Sequence, residues 1–150
     1  MKLLIRPATP ADIPAMMALE KHAAMAAHWS AQEYQTMFAG SGPRCVALII
    51  EEDARIQGFL VARALDPEWE IENIAVAGPA RRRGLGTRLV GEFLNLARRQ
   101  GALAVFLEVR ESNRAARALY EKWAFVENDR RKRYYSNPEE DAIVYRLAFA

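Results

Sequence analysis

At 150 residues, 51% of them hydrophobic, the chain has the size of one domain, spanning 1–150, and enough apolar residues to bury a core. A net charge of +2 is too small to mark a nucleic-acid protein, although Arg81-Arg82-Arg83 and Arg130-Arg131-Lys132-Arg133 gather positive charge locally. One cysteine, Cys45, and two histidines, His22 and His28, exclude a disulfide framework and a Cys/His zinc centre, and the opening apolar run is too short for a signal or a membrane span, so the expectation is a cytoplasmic protein with no metal, no membrane and no DNA among its partners.

Lys2 to Arg6 reads as a first strand closed by Pro7. Thr9-Pro10-Ala11-Asp12 then has the form of a helix start, with Thr9 as cap, proline in the first turn and an acid at the third position. Ser30-Ala31-Gln32-Glu33 carries the spacing of a capping box, which predicts a second helix from Ser30 towards Phe38, ended by Gly40-Ser41-Gly42-Pro43. Arg44 to Glu51 and Ile56 to Ala64 are rich in branched and aromatic residues and flank the charged turn Glu52 to Arg55, so they read as antiparallel neighbours, with a third strand at Glu70 to Ala77.

From Gly84 the period changes. Leu85, Leu89, Phe93 and Leu96 form the apolar stripe of a helix, with Arg98 and Arg99 in its last turn and Gly101 placed to end it in the left-handed conformation. Ala102 to Val109 is nearly continuous apolar sequence, as in a strand covered on both faces. Ser112 or Asn113 caps a further helix whose inward face is Ala116, Leu119, Tyr120 and Trp123, and Phe125 to Tyr134 and Asp141 to Leu147 read as two last strands.

The strand through Ile71 to Val76 leads by Gly78-Pro79 into Arg81-Arg82-Arg83-Gly84-Leu85-Gly86-Thr87 and straight into a helix. Unpaired amides at a helix start, the positive end of the dipole and two glycines that admit a ligand to the main chain suit phosphate, including a pyrophosphate. Gly86 is followed by Thr87-Arg88 and not by the lysine of a P-loop, and Leu89 stands where a Rossmann fingerprint has its third glycine. On residue type alone, the segment is either an anion site or a glycine-rich helix start beside a solvated arginine run.

Arg81-x-x-Gly84-x-Gly86 resembles the Q/R-x-x-G-x-G/A signature of the GNAT N-acetyltransferases. Ile74-Ala75-Val76, Leu107 to Asn113, Ala118 to Lys122, Tyr134-Tyr135 and Glu140-Asp141-Ala142 together resemble the RimI type, whose bacterial members acetylate the N-terminal alanine of small-subunit ribosomal protein number eighteen, and archaeal N-terminal acetyltransferases look similar through the same segments. The resemblance implies an α/β fold with a central, mostly antiparallel sheet and helices on both faces. It also implies acetyl-coenzyme A as acetyl donor and a protein N-terminus, such as that of a ribosomal protein, as acceptor. Coenzyme contacts are implied at Ile74, Ala75, Val76, Arg81, Arg82, Arg83, Gly84, Leu85, Gly86, Thr87 and Asn113.

Glu108 breaks the apolar run of its strand near the carboxyl end, where a carboxylate pairs with Arg110 or solvent, or does chemistry. The resemblance implies the second: a base for an N-terminal ammonium whose pKa lies at about 7.7 to 8.0. Tyr120, about 10 Å along its helix from Asn113, is on residue type either a core tyrosine or a proton donor, and the resemblance makes it the acid that protonates the departing thiolate. Asn113 reads as a helix cap as well as a coenzyme contact. Cys45 reads as a small core residue, Trp29, Tyr134 and Tyr135 as either a peptide groove or lids over the core, and Arg130 to Arg133 as a solvated strand edge.

Three departures from the family pattern stand out. Ala124 occupies the place of a helix-ending glycine, and because a left-handed alanine costs about 1 to 2 kcal/mol the helix is expected to end differently. Ala27-His28-Trp29-Ser30 replaces Phe-Pro-Trp-Ser, and Gly78-Pro79 replaces Asp-Pro. An acetyltransferase for lysine or a small-molecule amine, and a non-catalytic coenzyme-binding module, are the alternatives to an N-terminal acetyltransferase.

Overall fold

The computed structural model describes residues 2–22, 29–40, 44–78 and 84–149. Seven strands, β1 Leu3–Pro7, β2 Cys45–Glu52, β3 Arg55–Leu65, β4 Glu68–Val76, β5 Ala104–Arg110, β6 Val126–Tyr135 and β7 Glu140–Ala148, form one sheet in the order β1-β2-β3-β4-β5-β7-β6. Every neighbouring pair is antiparallel except β4 and β5. Helices α1 Ile13–Lys21 and α2 Ala31–Phe38 cover one face, and α3 Leu85–Arg99 and α4 Arg114–Lys122 the other. This is the expected succession of elements, with boundaries moved by one or two residues. Pro7 lies within β1, which as an edge strand can lack one donor.

Local chemistry accounts for most of the element ends. Ser30 Oγ accepts the Glu33 amide at 3.2 Å while Glu33 Oε1 accepts the Ser30 amide at 3.1 Å, which closes the capping box of α2. Asp12 accepts the Thr9 amide at 2.8 Å and a two-pronged ion pair from Arg6 at 2.8 and 2.9 Å, so the 3-10 turn that starts α1 is tied back to β1. The guanidinium of Arg6 holds the Asp12 carboxyl below its usual range despite burial. Gly101 is left-handed, with φ of 81°, as the end of α3 requires.

The larger core lies between the sheet and α3 and α4. Leu85, Leu89, Val90, Phe93, Leu94 and Ala97 bury the inner face of α3 against Leu48, Ile50, Leu60, Trp69 and Ile71, and the Trp69 and Phe93 rings meet edge-on at 6.0 Å. Leu96, expected in this stripe, is only half-buried, because Ala97 sits at the contact. A smaller core of Met16, Tyr34, Ile49, Phe59, Val61 and Ala75 joins α1 and α2 to the opposite face. No helix among the described residues is long and apolar enough to cross a membrane.

The end of α4 differs from expectation. Ala124 does take the left-handed conformation, with φ of 71°. The Phe125 amide donates to the Tyr120 carbonyl at 3.1 Å and the Ala124 amide to the Glu121 carbonyl at 3.0 Å, the two bonds of a Schellman motif, while the Phe125 and Tyr120 rings pack at 5.6 Å. These contacts outweigh the cost of the strained alanine. Ala124→Gly is therefore expected to stabilise the fold by about 1 kcal/mol, after allowing for the greater freedom of glycine in the unfolded chain, and to raise Tm by roughly 2 to 4 °C in thermal unfolding.

Candidate active site

The hydrogen-bond ladder between β4 and β5 runs from Glu68 and Ala104 to Ile71 and Leu107 and then stops, although both strands continue. Past that point the parallel strands part and a wedge opens at their carboxyl ends. One cause is visible in β4: its register against β3 passes from Val61–Asn73 to Ala62–Ile71, so Glu72 is the extra residue of a β-bulge. The bulge also exchanges faces. Trp69 and Ile71 point into the larger core, whereas Asn73 and Ala75 point into the smaller one and Ile74 and Val76 turn towards α3 and α4.

On the α3 and α4 side, both helices start beside the wedge. Gly84 precedes α3 with φ of 79°, and a Cβ built on it would meet nothing within 4 Å among the described residues. Gly86 packs close, its Cβ direction 3.5 Å from Leu119 of α4 and 3.8 Å from Val76 of β4. Leu85 is buried in the core, and the Thr87 carbonyl accepts the indole N–H of Trp123 at 3.2 Å. Gly91 makes that contact possible, since a Cβ there would stand 2.7 Å from the Trp123 ring. Asn113 caps α4 by accepting the Ala116 amide at 3.2 Å. Arg81, Arg82 and Arg83 lie outside the described residues, as do Ala27 and His28.

Tyr120 sits on this same side, 3% exposed, with its ring against Phe125 and 6.4 Å from that of Tyr145. Burial alone pushes its phenol well above the ordinary tyrosine range, so the hydroxyl keeps its proton at any physiological pH. Glu108 is on the other side. Val105, Leu107 and Val109 of β5 face the larger core, and Phe106 and Glu108 alternate with them. The expectation of a strand covered on both faces therefore holds for one face only, because Phe106 and Glu108 are half-buried. Glu108 is the first β5 residue beyond the ladder, on the face of the sheet opposite to Tyr120.

The surroundings of Glu108 are aromatic and charged. Arg131 of β6 reaches Glu108 Oε1 at 3.5 Å, and the Tyr134 hydroxyl is within hydrogen-bonding reach of the same carboxylate. Glu108 first, then burial, raises the Tyr134 phenol, and burial followed by Glu108 pushes Tyr135 up to about 12. The two tyrosine rings meet edge-on at 5.1 Å, with Arg131 over Tyr134 at 5.5 Å and Arg110 over Tyr135 at 4.4 Å. Tyr134 and Tyr135 thus border the Glu108 side of the wedge rather than lying over a core. Arg130 to Arg133 is more than a solvated edge: Arg131 engages Glu108, and Arg130 pairs with Glu111 and with Asp141 at 3.1 Å.

The start of α4 is fixed by β7. Glu140 accepts from Arg110 at 3.1 Å, from the Ser112 amide at 3.2 Å and from the Ser112 hydroxyl at 3.0 Å. Two segments picked out in the sequence, Leu107 to Asn113 and Glu140 to Ala142, are therefore one structural unit.

Two acidic residues of β4, one of them close enough to Glu108 to feel its charge, escaped the sequence reading. Glu70 and Glu72 straddle Arg63, whose Nη2 lies 3.5 Å from one and 3.3 Å from the other. Burial, then the charges of Glu72 and Glu108, raises the Glu70 carboxyl above its ordinary range, and burial raises Glu72 likewise. Their alternation in Glu68-Trp69-Glu70-Ile71-Glu72 was the available signal, but it looks the same as a solvated strand face. Glu72 and Arg63 also line a groove of about 570 Å³ under α2, together with Trp29 and Cys45. Cys45 is thus a half-buried groove residue and not part of the core, and burial raises its thiol, which disfavours a nucleophilic role. Deeper under α1 and α2, Glu20 accepts the Trp29 amide at 3.0 Å and a bond from Asn73, joining α1, the start of α2 and β4.

Residues 13–125 match the acetyltransferase (GNAT) family, and the chain belongs to it: the protein is an N-acetyltransferase. Within the family it is similar to the [ribosomal protein bS18]-alanine N-acetyltransferase of Salmonella typhimurium, at 36% identity over 138 residues that cover 91% of this chain and 90% of the relative. The crystal structure of the ribosomal-protein-S18-alanine N-acetyltransferase from Escherichia coli superposes with a TM-score of 0.87 at 29% identity, covering 99% of this chain and 95% of the other. That of Ard1 from Thermoplasma volcanium gives 0.86 at 25% identity, covering 100% and 99%.

If Glu108 takes the proton of the attacking amine, Glu108→Gln lowers kcat by about 100-fold or more while acetyl-coenzyme A affinity by calorimetry stays within about twofold. Near-normal turnover would remove Glu108 from that role. If Tyr120 protonates the departing sulfur, Tyr120→Phe, which removes the hydroxyl and keeps the ring, is expected to slow turnover by about tenfold or more.

Proposed function

We propose that the protein transfers the acetyl group of acetyl-coenzyme A to the α-amine of an N-terminal alanine, with small-subunit ribosomal protein number eighteen as its target. The observation that carries this reading is the end of the β4–β5 ladder at Ile71–Leu107. Beyond that point β5 carries a carboxylate, Glu108, and α4 on the opposite face of the sheet carries a protonated phenol, Tyr120, which supports an acid–base pair at this place. An N-terminal amine is mostly ammonium near neutral pH and must lose a proton before it attacks a thioester. The names of the relatives at 33 to 36% identity support alanine as the acceptor.

In this reading the pyrophosphate of the coenzyme lies on the α3 start, held by the amides of Gly84, Leu85, Gly86 and Thr87 and by Arg81, Arg82 and Arg83, with Asn113 beside it. Its pantetheine arm runs along Ile74, Ala75 and Val76 into the wedge, so that the thioester arrives where the strands part. The acceptor enters between Trp29 and the Tyr134–Tyr135 pair. Glu108, directly or through a water, takes a proton from the ammonium; the amine nitrogen bonds to the thioester carbon, and backbone amides near Val76 stabilise the oxyanion. As the carbon–sulfur bond breaks, Tyr120 donates a proton to the sulfur and recovers it from the nitrogen side through water. No covalent enzyme intermediate is needed.

Mass spectrometry after incubation with acetyl-coenzyme A and two matched peptides tests the acceptor. One peptide has a free N-terminal alanine; the other is blocked at its N-terminus and carries lysines. Acetylation confined to the free alanine amine is expected. Acetylation of lysine side chains alone would contradict the reading.

A further inference from the structure

We propose that Arg131 is a stand-in for the acceptor amine: in the free enzyme its guanidinium occupies the cation position on Glu108, and the incoming α-ammonium must displace it. The proposal rests on Glu108 being the base. Its geometry is that of an exchangeable partner. Glu108 has 14% of its side chain exposed, Arg131 54%, and their closest approach is 3.5 Å, so a half-buried anion is met by a cation that arrives from solvent.

Only one oxygen of the carboxylate is engaged by Arg131. Oε1 takes the guanidinium, whereas Oε2 is buried with no hydrogen-bond partner among the described residues, an orphan acceptor beside the wedge. An ammonium with three N–H donors can reach both oxygens; the guanidinium as placed approaches Oε1 alone, beside the Tyr134 hydroxyl. The other charged groups on this face do not compete for the position. Glu70 and Glu72 are occupied with Arg63, Arg110 is held by Glu140, and Arg130 by Glu111 and Asp141.

Arg131 also has somewhere to go. It lies on the edge strand β6, where the register against β7 jumps between Arg131 and Tyr135 and Arg133 has φ of 54°, so the segment is irregular there. Its guanidinium is 5.5 Å from the centre of the Tyr134 ring, which is half exposed, and cation–π contact with that ring can hold it after it leaves Glu108. Arg131 is thus a positioning residue that selects for acceptors able to replace a cation: a free α-ammonium qualifies, a blocked N-terminus does not.

Steady-state kinetics with the free-alanine peptide test this. Arg131→Met, which keeps the apolar stem, is expected to lower the acceptor KM by roughly two- to fivefold, the range that such an ion pair implies, with kcat within about twofold of wild type. Arg131→Lys, which keeps the charge, is expected to restore the wild-type KM. In a Glu108→Gln background the Arg131→Met effect on KM should vanish, because the contact it removes no longer exists. An unchanged or raised KM in Arg131→Met, or an effect of equal size in the Glu108→Gln background, would overturn the proposal. Glu108→Gln alone keeps the two readings apart: if it turns over normally, the base assignment fails, whereas if it is slow and Arg131→Met leaves KM unmoved, only the stand-in role fails.

Discussion

The feature on which the rest of the molecule depends is the point where two parallel strands stop bonding to each other. In a sheet that is otherwise antiparallel, β4 and β5 share four paired positions and then separate. Parallel strands carry their helices at the same end, so α3 and α4 both start beside the opening. The β-bulge at Glu72 lets β4 keep its ladder with β3 while turning Ile74 and Val76 towards those helices. Close packing then holds the helix starts together, with Gly86 against Leu119 and Gly91 under the Trp123 ring. The opening is therefore built from backbone register and glycine contacts, and Glu108 and Tyr120 are carried on two of the elements that border it.

The two sides of the opening differ in electrostatics. Towards α3 and α4, Tyr120 is enclosed among apolar side chains and kept neutral, and the helix starts contribute the positive ends of their dipoles. Towards β6 the wall carries Glu70, Glu72 and Glu108 against Arg63 and Arg131, with the phenols of Tyr134 and Tyr135 nearby. A buried carboxylate cluster costs free energy unless cations are supplied, and here the supply differs by residue. Arg63 spans Glu70 and Glu72 from the same sheet, whereas Glu108 depends on an arginine from an exposed edge strand. A cationic substrate suits the second arrangement better than the first.

Much of this was legible in the residues. Glycine and proline punctuation, the capping box at Ser30 and the change of period at Gly84 marked the seven strands and four helices of the described residues, because each of those signals acts within a few residues. The candidate phosphate turn and Glu108 were legible for the same reason, as local breaks in pattern. What escaped reading depends on distant partners. Ala124 is left-handed because Phe125 packs on Tyr120, a contact that the intrinsic cost of the conformation does not anticipate. Glu70 and Glu72 looked like a solvated face until β3 brought Arg63 to them, and Arg131 looked like an edge guard until β7 set it beside β5 and Glu108. The bulge at Glu72 leaves no mark in composition at all.

The most direct measurement is a crystal structure of the protein with a conjugate in which coenzyme A is joined through an acetyl linker to the amine of an alanine-led peptide. The account predicts that the linker lies in the wedge between Ile74–Val76 and Glu108, with the pyrophosphate on the amides from Gly84 to Thr87, the Tyr120 hydroxyl nearest the sulfur and the peptide leaving past Tyr134. A conjugate seated in the groove under α2, with the β4–β5 wedge empty and Glu108 remote from the linked nitrogen, would contradict it.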